Sequence, residues 1–287
     1  MPHRRLLAWL LALLLLAAAP VQAGHKHFLW KVAGETNTVY LLGSIHALRP
    51  GDYPLAPVMR RAFRDADALI LEIRLPPAGS GGAALALGSG DGPGLAAQLS
   101  AEQYRQAKEL AGAQGIDLDS MSRLDPWLAA LVIVQGALQR AGYDPGHGLD
   151  AHFQRLADAA GKPVLALETP QQQLRLFDEL PADLQGAFLL RTLREARDVE
   201  ATLEPLVSAW KAGRTDTVQR LVLDELRPFP ELYERLIVHR NRNWLAQVEA
   251  FLEDRRDYLV VVGAAHLVGK QGLVAMLRRR GYTVIQQ

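Results

Sequence analysis

The sequence predicts an α/β protein with a mixed central sheet built from its N- and C-terminal segments and a large central helical excursion. Three observations carry that expectation. Short β-rich runs gather at the two ends of the chain. Two of them, residues 68–73 and 258–262, are nearly continuous apolar stretches, as strands covered on both faces require. Between them the chain reads mainly at helical spacing.

Taken in order, residues 28–32 and 38–42 are β-rich runs separated by Ala33-Gly34-Glu35-Thr36-Asn37, which predicts a hairpin or adjacent strands. The second run leads into Gly43-Ser44-Ile45-His46. Residues 57–66 place Val58, Ala62 and Ala66 on one helical face, and residues 68–73 form a strand whose exception is one acid, Glu72. Residues 79–94 change character: seven of sixteen are glycine, which predicts a flexible surface insertion or lid. Helical patterning covers residues 101–114 and 126–140, the latter with Trp127, Leu131, Val134 and Leu138 in step. A helix over 152–160 ends at Gly161, and Lys162-Pro163 leads into an apolar strand that finishes on Glu168. Further helices are predicted over residues 171–177, 184–195, 199–212, 215–226 and 233–252. The strand at 258–262 enters Gly263-Ala264-Ala265-His266. A helix over 269–280, capped by Gly281, precedes a closing strand at 282–285. Because sheet elements frame the helical middle, one domain is expected over residues 24–287.

The first 23 residues stand apart. His3, Arg4 and Arg5 form a partly basic head, residues 6–19 are an unbroken apolar run, Pro20 ends it, and Val21-Gln22-Ala23 has the small-residue spacing of a cleavage site. Fourteen residues at about 1.5 Å each fall short of a bilayer's ~30 Å hydrocarbon core, so a cleaved signal peptide is expected, with a periplasmic or secreted destination. Its removal takes two arginines and no acid, turning a net charge of +1 into about −1. No membrane-length apolar run follows it. The 287-residue chain is 49% hydrophobic and 22% charged, which excludes wholesale disorder, and its near-zero charge argues against a nucleic-acid partner. Zero cysteines exclude a disulfide framework and a thiol nucleophile.

Two tetrapeptides share one form, Gly43-Ser44-Ile45-His46 and Gly263-Ala264-Ala265-His266, each at the exit of an apolar strand. Glycine permits a tight turn and close approach there, and the imidazole is held over the end of the sheet, where α/β proteins put ligands. Glu72 and Glu168 interrupt apolar strands near their ends, and a buried carboxylate has to be paired, protonated or metal-bound. Two histidines with one or two carboxylates suit Zn, Mn, Fe or Co, with a spare carboxylate to accept a proton from bound water. The competing reading makes Glu72 and Glu168 partners of Arg49, Arg240 or Arg242 in structural ion pairs. Arg240 and Asn241 are candidates to orient a substrate or stabilise an oxyanion. Asp150 reads as a helix N-cap or as a partner behind the site.

With these pieces in their order, the chain resembles the TraB/GumN family, which includes the TIKI proteases. The matching segments are Leu41-Leu42-Gly43-Ser44-Ile45-His46, Leu71-Glu72-Ile73, Leu149-Asp150-Ala151-His152-Phe153, Gly161-Lys162-Pro163-Val164 and Leu167-Glu168-Thr169. They continue in Arg240-Asn241 with Trp244, and in Gly263-Ala264-Ala265-His266-Leu267-Val268-Gly269 with Gly272-Leu273 and Gly281-Tyr282. The resemblance implies metal-dependent peptide hydrolysis at the positions of His46 and His266, and an α/β fold related to the erythromycin-esterase and ChaN-like group. In that wider group a histidine activates water without metal in some members, and others bind haem.

The leading expectation is therefore a periplasmic metal-dependent hydrolase, a protease or peptidase acting on a peptide or protein. His46, Glu72 and His266 would hold a divalent ion (Mn, Co, Zn or Fe), and Glu168, Arg240 and Asn241 would be the catalytic and positioning groups. Its rivals are a metal-independent hydrolase with His46 or His266 as general base, and a haem- or metal-binding protein without turnover. No Gly-x-Ser-x-Gly elbow joins a strand to a helix, which sets a serine hydrolase aside.

Overall fold

The computed structural model describes residues 26–75, 94–226 and 228–287. The leader at residues 1–23, and all but Gly94 of the glycine-rich stretch, lie outside them. Six strands form one sheet in the order β4-β3-β5-β2-β1-β6. They are β1 (Leu29–Ala33), β2 (Thr38–Ser44), β3 (Ala68–Leu71), β4 (Val164–Ala166), β5 (Tyr258–Gly263) and β6 (Val284–Gln286). The α/β fold class holds: the sheet is mixed, its N- and C-terminal strands interleave, and the helical excursion lies between β3 and β5 with, among the described residues, only the short edge strand β4 inside it.

β1 and β2 make the expected antiparallel hairpin, with Trp30 opposite Leu41, and β6 adds antiparallel to the outer edge of β1. The other pairings are parallel. β5 lies between β2 and β3, with Val260 opposite both Leu41 and Ile70, and β4 pairs with β3. Burial follows pairing. All six residues of β5 and all four of β3 are buried, whereas β1 alternates. A central parallel strand is covered on both faces, so its sequence is apolar throughout.

Among the described residues the α-helices longer than four residues are α1 (Pro57–Asp65), α2 (Ala101–Gly112), α3 (Pro126–Arg140), α4 (Leu149–Ala160), α5 (Pro170–Asp178), α6 (Ala182–Glu195), α7 (Val199–Lys211), α8 (Thr215–Leu223), α9 (Arg240–Glu253) and α10 (Leu273–Arg279). α5 starts with a capping box, Thr169 accepting from the Gln172 amide while the Gln172 side chain accepts from the Thr169 amide. α4 ends at Gly161 with φ 64°, a left-handed cap that glycine adopts without strain. Three boundaries differ from expectation for local reasons. α4 starts at Leu149 rather than 152, with Gly148 as its N-cap, so Asp150 is inside the first turn and its side chain is free for other work. The stretch 233–252 is not one α-helix: a π-helical segment, Glu234–His239, precedes α9. In 269–280 only α10 is helical, because Gly269 at φ 77° breaks the run.

Two apolar cores result. The larger packs both faces of the sheet and includes Phe28, Trp210, Trp244 and Val260. The smaller is purely helical, with Ala107 of α2, Ala129 and Ile133 of α3, and Leu189 and Leu193 of α6. Among the described residues no helix is long and apolar enough to cross a membrane.

Candidate active site

Four parallel strands point their C-terminal ends the same way, and each delivers one polar residue there. Glu72 follows β3 directly, His46 and Glu168 lie two residues past β2 and β4, and His266 lies three past β5. The sheet thus brings together side chains from widely separated segments of the chain. Gly263 marks their meeting point. A Cβ there would lie 3.1 Å from His46 Nε2, 3.2 Å from Glu72 Oε1 and 3.6 Å from the His266 ring. Its φ is −49°, so close approach rather than an unusual turn is what requires glycine. Gly43 has the same purpose, since a Cβ would run into the Phe28 ring, and its carbonyl accepts the Trp210 indole N–H at 2.6 Å.

Arg240 is the hub. It is the first residue of α9, directly after the π-helical segment, an irregularity that often accompanies functional positions. Its Nε donates to both Glu168 oxygens at 3.1 Å, and one terminal nitrogen donates to Glu72 at 2.6 Å and Glu168 at 2.9 Å. The other donates to His266 Nε2 at 3.0 Å and to the Leu236 carbonyl at 3.3 Å. All five guanidinium N–H groups are spent on the protein. Arg240 also lies 4.5 Å from the centre of the Trp244 ring, and the Trp244 indole N–H donates to Glu168 at 3.0 Å. The ion-pair reading of Glu72 and Glu168 is realised here through this one arginine.

The same contacts fix His266. An arginine cannot accept, so Nε2 is the acceptor, and Nδ1 carries the proton and donates to Asn241 Oδ1 at 2.7 Å. Burial then lowers the ring to about 3, leaving it neutral. Asn241 is fully buried, and its amide donates to the His266 and Gln271 carbonyls. Burial works to raise Glu72, but the cationic side chains facing it outweigh that, Arg240 at 2.6 Å above all given a neutral His266, and the carboxyl stays ionised, at about 2. Glu72 also accepts from the Gly263 amide at 2.7 Å and the Gln173 side chain at 3.0 Å.

His46 behaves differently. Its Nδ1 lies 2.9 Å from Asp150 Oδ2, while Ser44 donates to Asp150 Oδ1 at 3.2 Å. The side chain is 64% exposed, and among the described residues no hydrogen bond engages Nε2. The Asp150 carboxylate pushes the ring up to about 9 against the opposing effects of burial and Arg240. Water reaching the exposed ring screens part of that attraction. Asp150, read from the sequence as an N-cap or as a partner behind the site, is the second of these: it orients His46, while Gly148 is the N-cap. His147 pairs with Asp144 and His152 stacks on Tyr53, both away from this centre.

Two cavities meet at His46, Glu72 and Gln173. The larger, about 720 Å³, runs from the strand ends beneath the helices, and the smaller, about 260 Å³, adjoins Ile73, Pro145 and Asp150. Gln173 is the residue that the sequence reading missed. It sits on the first turns of α5, and the only signal was the Thr169-Pro170 helix start just after Glu168.

The arrangement corrects the metal expectation. Among the described residues no group of three or more His, Asp, Glu or Cys is placed to hold a metal ion. The reason is visible in the contacts. The lone pair of His266 Nε2 is turned onto Arg240, Glu72 Oε1 is 3.9 Å from that nitrogen, and the Asp150-paired His46 favours its protonated form. The positive charge that Glu72 and Glu168 need is a guanidinium. The residues therefore do not fit the Mn, Co, Zn or Fe ion first assigned to His46, Glu72 and His266. The metal-dependent peptidase, the metalloprotease and metal-binding descriptions, and the metal-binding protein without turnover fall with it.

Comparison with known proteins places this geometry in context. The model of the TraB/PrgY/gumN family matches residues 28–286. The chain is 28% identical over 258 residues to the uncharacterized protein YbaP of Escherichia coli (strain K12), covering 89% of each chain. It is 27% identical over 260 residues to the protein of the same name in Shigella flexneri, covering 88% of this chain and 94% of that one. It is also 27% identical over 169 residues to a protein named Metalloprotease TIKI homolog in Amphimedon queenslandica, covering 47% of this chain and 32% of that one. No solved structure matches.

Proposed function

The chain belongs to the TraB/PrgY/gumN family, and on that footing we propose that it is a metal-independent hydrolase of an ester or amide bond, with His46 as the proton-transfer residue. One observation carries the reading: Asp150 holds Nδ1 of His46 at 2.9 Å, and among the described residues Nε2 has no hydrogen-bond partner where two cavities meet. An imidazole oriented through one nitrogen and free at the other is the arrangement general-base catalysis needs. Nε2 takes a proton from water as the water oxygen bonds to the carbonyl carbon. The proton then passes to the leaving oxygen or nitrogen as its bond to that carbon breaks.

Glu168, Arg240 and Asn241 are positioning residues in this scheme. Their polar atoms are committed to one another and to His266 and Glu72, so they set the floor rather than touch substrate. Gln173 has one amide hydrogen and its carbonyl left after bonding Glu72, and it faces both cavities. It is the side chain that would meet the scissile group. An exported setting belongs to this reading. Family membership is consistent with it, and the leader read from residues 1–23 would provide the route.

The test is hydrolysis of a panel of p-nitrophenyl esters and anilides, with and without exhaustive chelator. Activity should be indifferent to chelator and fall about 10²–10⁴-fold in His46→Ala. Because Asp150 raises His46, the basic form accumulates only as pH rises towards 9, so kcat/KM should climb through the alkaline range. Asp150→Asn removes that attraction and should move the limb towards the ordinary value of 6.5 while lowering the plateau. Turnover retained in His46→Ala, or abolished by chelator, overturns the reading.

A further inference from the structure

We propose that the large cavity takes a linear acyl or alkyl chain, so that the substrate is an acyl ester or amide with its carbonyl at His46 and its tail beneath the helices. This deepens the reading above and rests on it for the position of the carbonyl. The cavity has a polar floor at one end, and the polar side chains of its walls are Gln173, Thr192, Glu195 and Thr202. Ser44, His46, Glu72, Arg240 and His266 form that floor, and the walls rising from it belong to α3, α5, α6, α7, α8 and the π-helical segment.

The walls are largely apolar, and part of their apolar surface faces the cavity rather than the core. α3 already buries Ile133 and Ala137 in the helical core, yet it carries a second apolar row, Leu131, Val134 and Leu138, at helical spacing and only half-buried. Leu203 and Leu206 of α7 face the cavity and are half-buried too. Apolar side chains left lining a space of about 720 Å³, well within the range of small-molecule sites, mark a place where something apolar completes the burial.

The chemistry of the walls selects among apolar occupants. A peptide brings an N–H and a carbonyl with every residue, and each needs a partner once out of water. Few wall groups can answer. Glu195 is tied to Arg191 and the Thr202 hydroxyl donates to the Asp198 carbonyl, so Thr192 and the half of the Gln173 amide not bonded to Glu72 are too few for a peptide's repeating N–H and carbonyl groups. A hydrocarbon tail makes no such demand. At the floor, the His46 imidazolium offers a donor and a positive charge to a carbonyl or to the carboxylate product.

The experiment is equilibrium binding of a dansyl-labelled undecanoic acid to the full chain, followed by displacement with unlabelled carboxylic acids of four, eight, twelve and sixteen carbons. Affinity should rise steeply with length, by up to about fourfold for each methylene buried. Val134→Trp and Leu203→Trp, which fill the cavity away from the floor, should weaken dodecanoate at least tenfold while leaving the far-ultraviolet spectrum intact. His46→Ala should keep the dependence on length, because the tail never meets that ring. No saturable binding, affinity independent of length, folded tryptophan variants that bind like the parent, or a capped tetraleucine displacing the probe as well as dodecanoate each overturn the proposal. Loss of length-dependent binding with His46-dependent turnover intact sinks the tail pocket alone. Length-dependent binding with turnover surviving in His46→Ala sinks the catalytic reading alone.

Discussion

Arg240 holds two carboxylates and a neutral imidazole with one planar group, which a lysine with a single point charge cannot reproduce. Arg240→Met should therefore destabilise the protein by about 3–5 kcal/mol, because Glu72 and Glu168 are left buried and uncompensated. Urea unfolding midpoints measure this, and a loss under 1 kcal/mol would refute the account. Protons act on the same cluster. His266 is held neutral down to about 3, so the unfolded chain binds the extra proton between pH 6.5 and 3, and stability falls on acidification across that window by up to about 1.4 kcal/mol per pH unit. Glu72 adds a loss of the same sign as pH falls from 4.5 to about 2. His46 is opposite: its contribution is complete below 6.5 and is lost as pH rises through about 9. Melting temperature should peak between these limbs, and His266→Gln should flatten the acid side; an unchanged acid slope would show that another group governs it. At this scale the sequence revealed which residues gather but not how they are used. His46 and His266 occupy like positions in like tetrapeptides, and the partners differ: Asp150 orients the first, which is the proton carrier of the proposed reaction, and burial beside Arg240 holds the second neutral.

The strand ends work as elements because nothing larger than hydrogen fits at their centre. Gly263→Ala would bring a methyl to about 3.1 Å from His46 Nε2 and 3.2 Å from Glu72 Oε1, forcing both to shift by a few tenths of an ångström. Its φ suits alanine, so the change should lower turnover at least tenfold while moving the melting temperature little. Parallel losses in both would point to a packing defect instead. Gly43→Ala should reverse that balance, costing about 1–3 kcal/mol of stability, since its methyl meets the Phe28 ring in the core. Most elements were legible because their signals are local: β5 is an unbroken apolar run, and the helix over 126–140 matches Pro126–Arg140. The π-helical segment was not, since the residues of Glu234–His239 carry ordinary helix formers, and the extra residue per turn is set by where Arg240 has to reach.

For the molecule as a whole, the two cores differ in kind. The sheet core is tied by pairing across distant segments, whereas the helical core packs α2, α3 and α6 without strands. Amides of β5 should exchange with solvent most slowly, those of α3 and α6 sooner, and dodecanoate should slow α3, α6 and α7 selectively; uniform protection would argue against a tail lying between the cores. The frame of this architecture was legible from the placement of strand-like runs at both ends, but the cavity was not. Leu131, Val134 and Leu138 look like any core row until the fold places them, half-buried, on the wall of the cavity. The strand order carries a last consequence, for biogenesis. β5 slots between β2 and β3, so until residues 258–263 have been synthesised those two strands have no neighbour to bridge them. A chain made from its N-terminus cannot lock its sheet, or assemble the four strand ends, before nearly all of it has left the ribosome. In the exported setting proposed above, such late closure would keep the polypeptide pliable enough for passage through a narrow translocation channel.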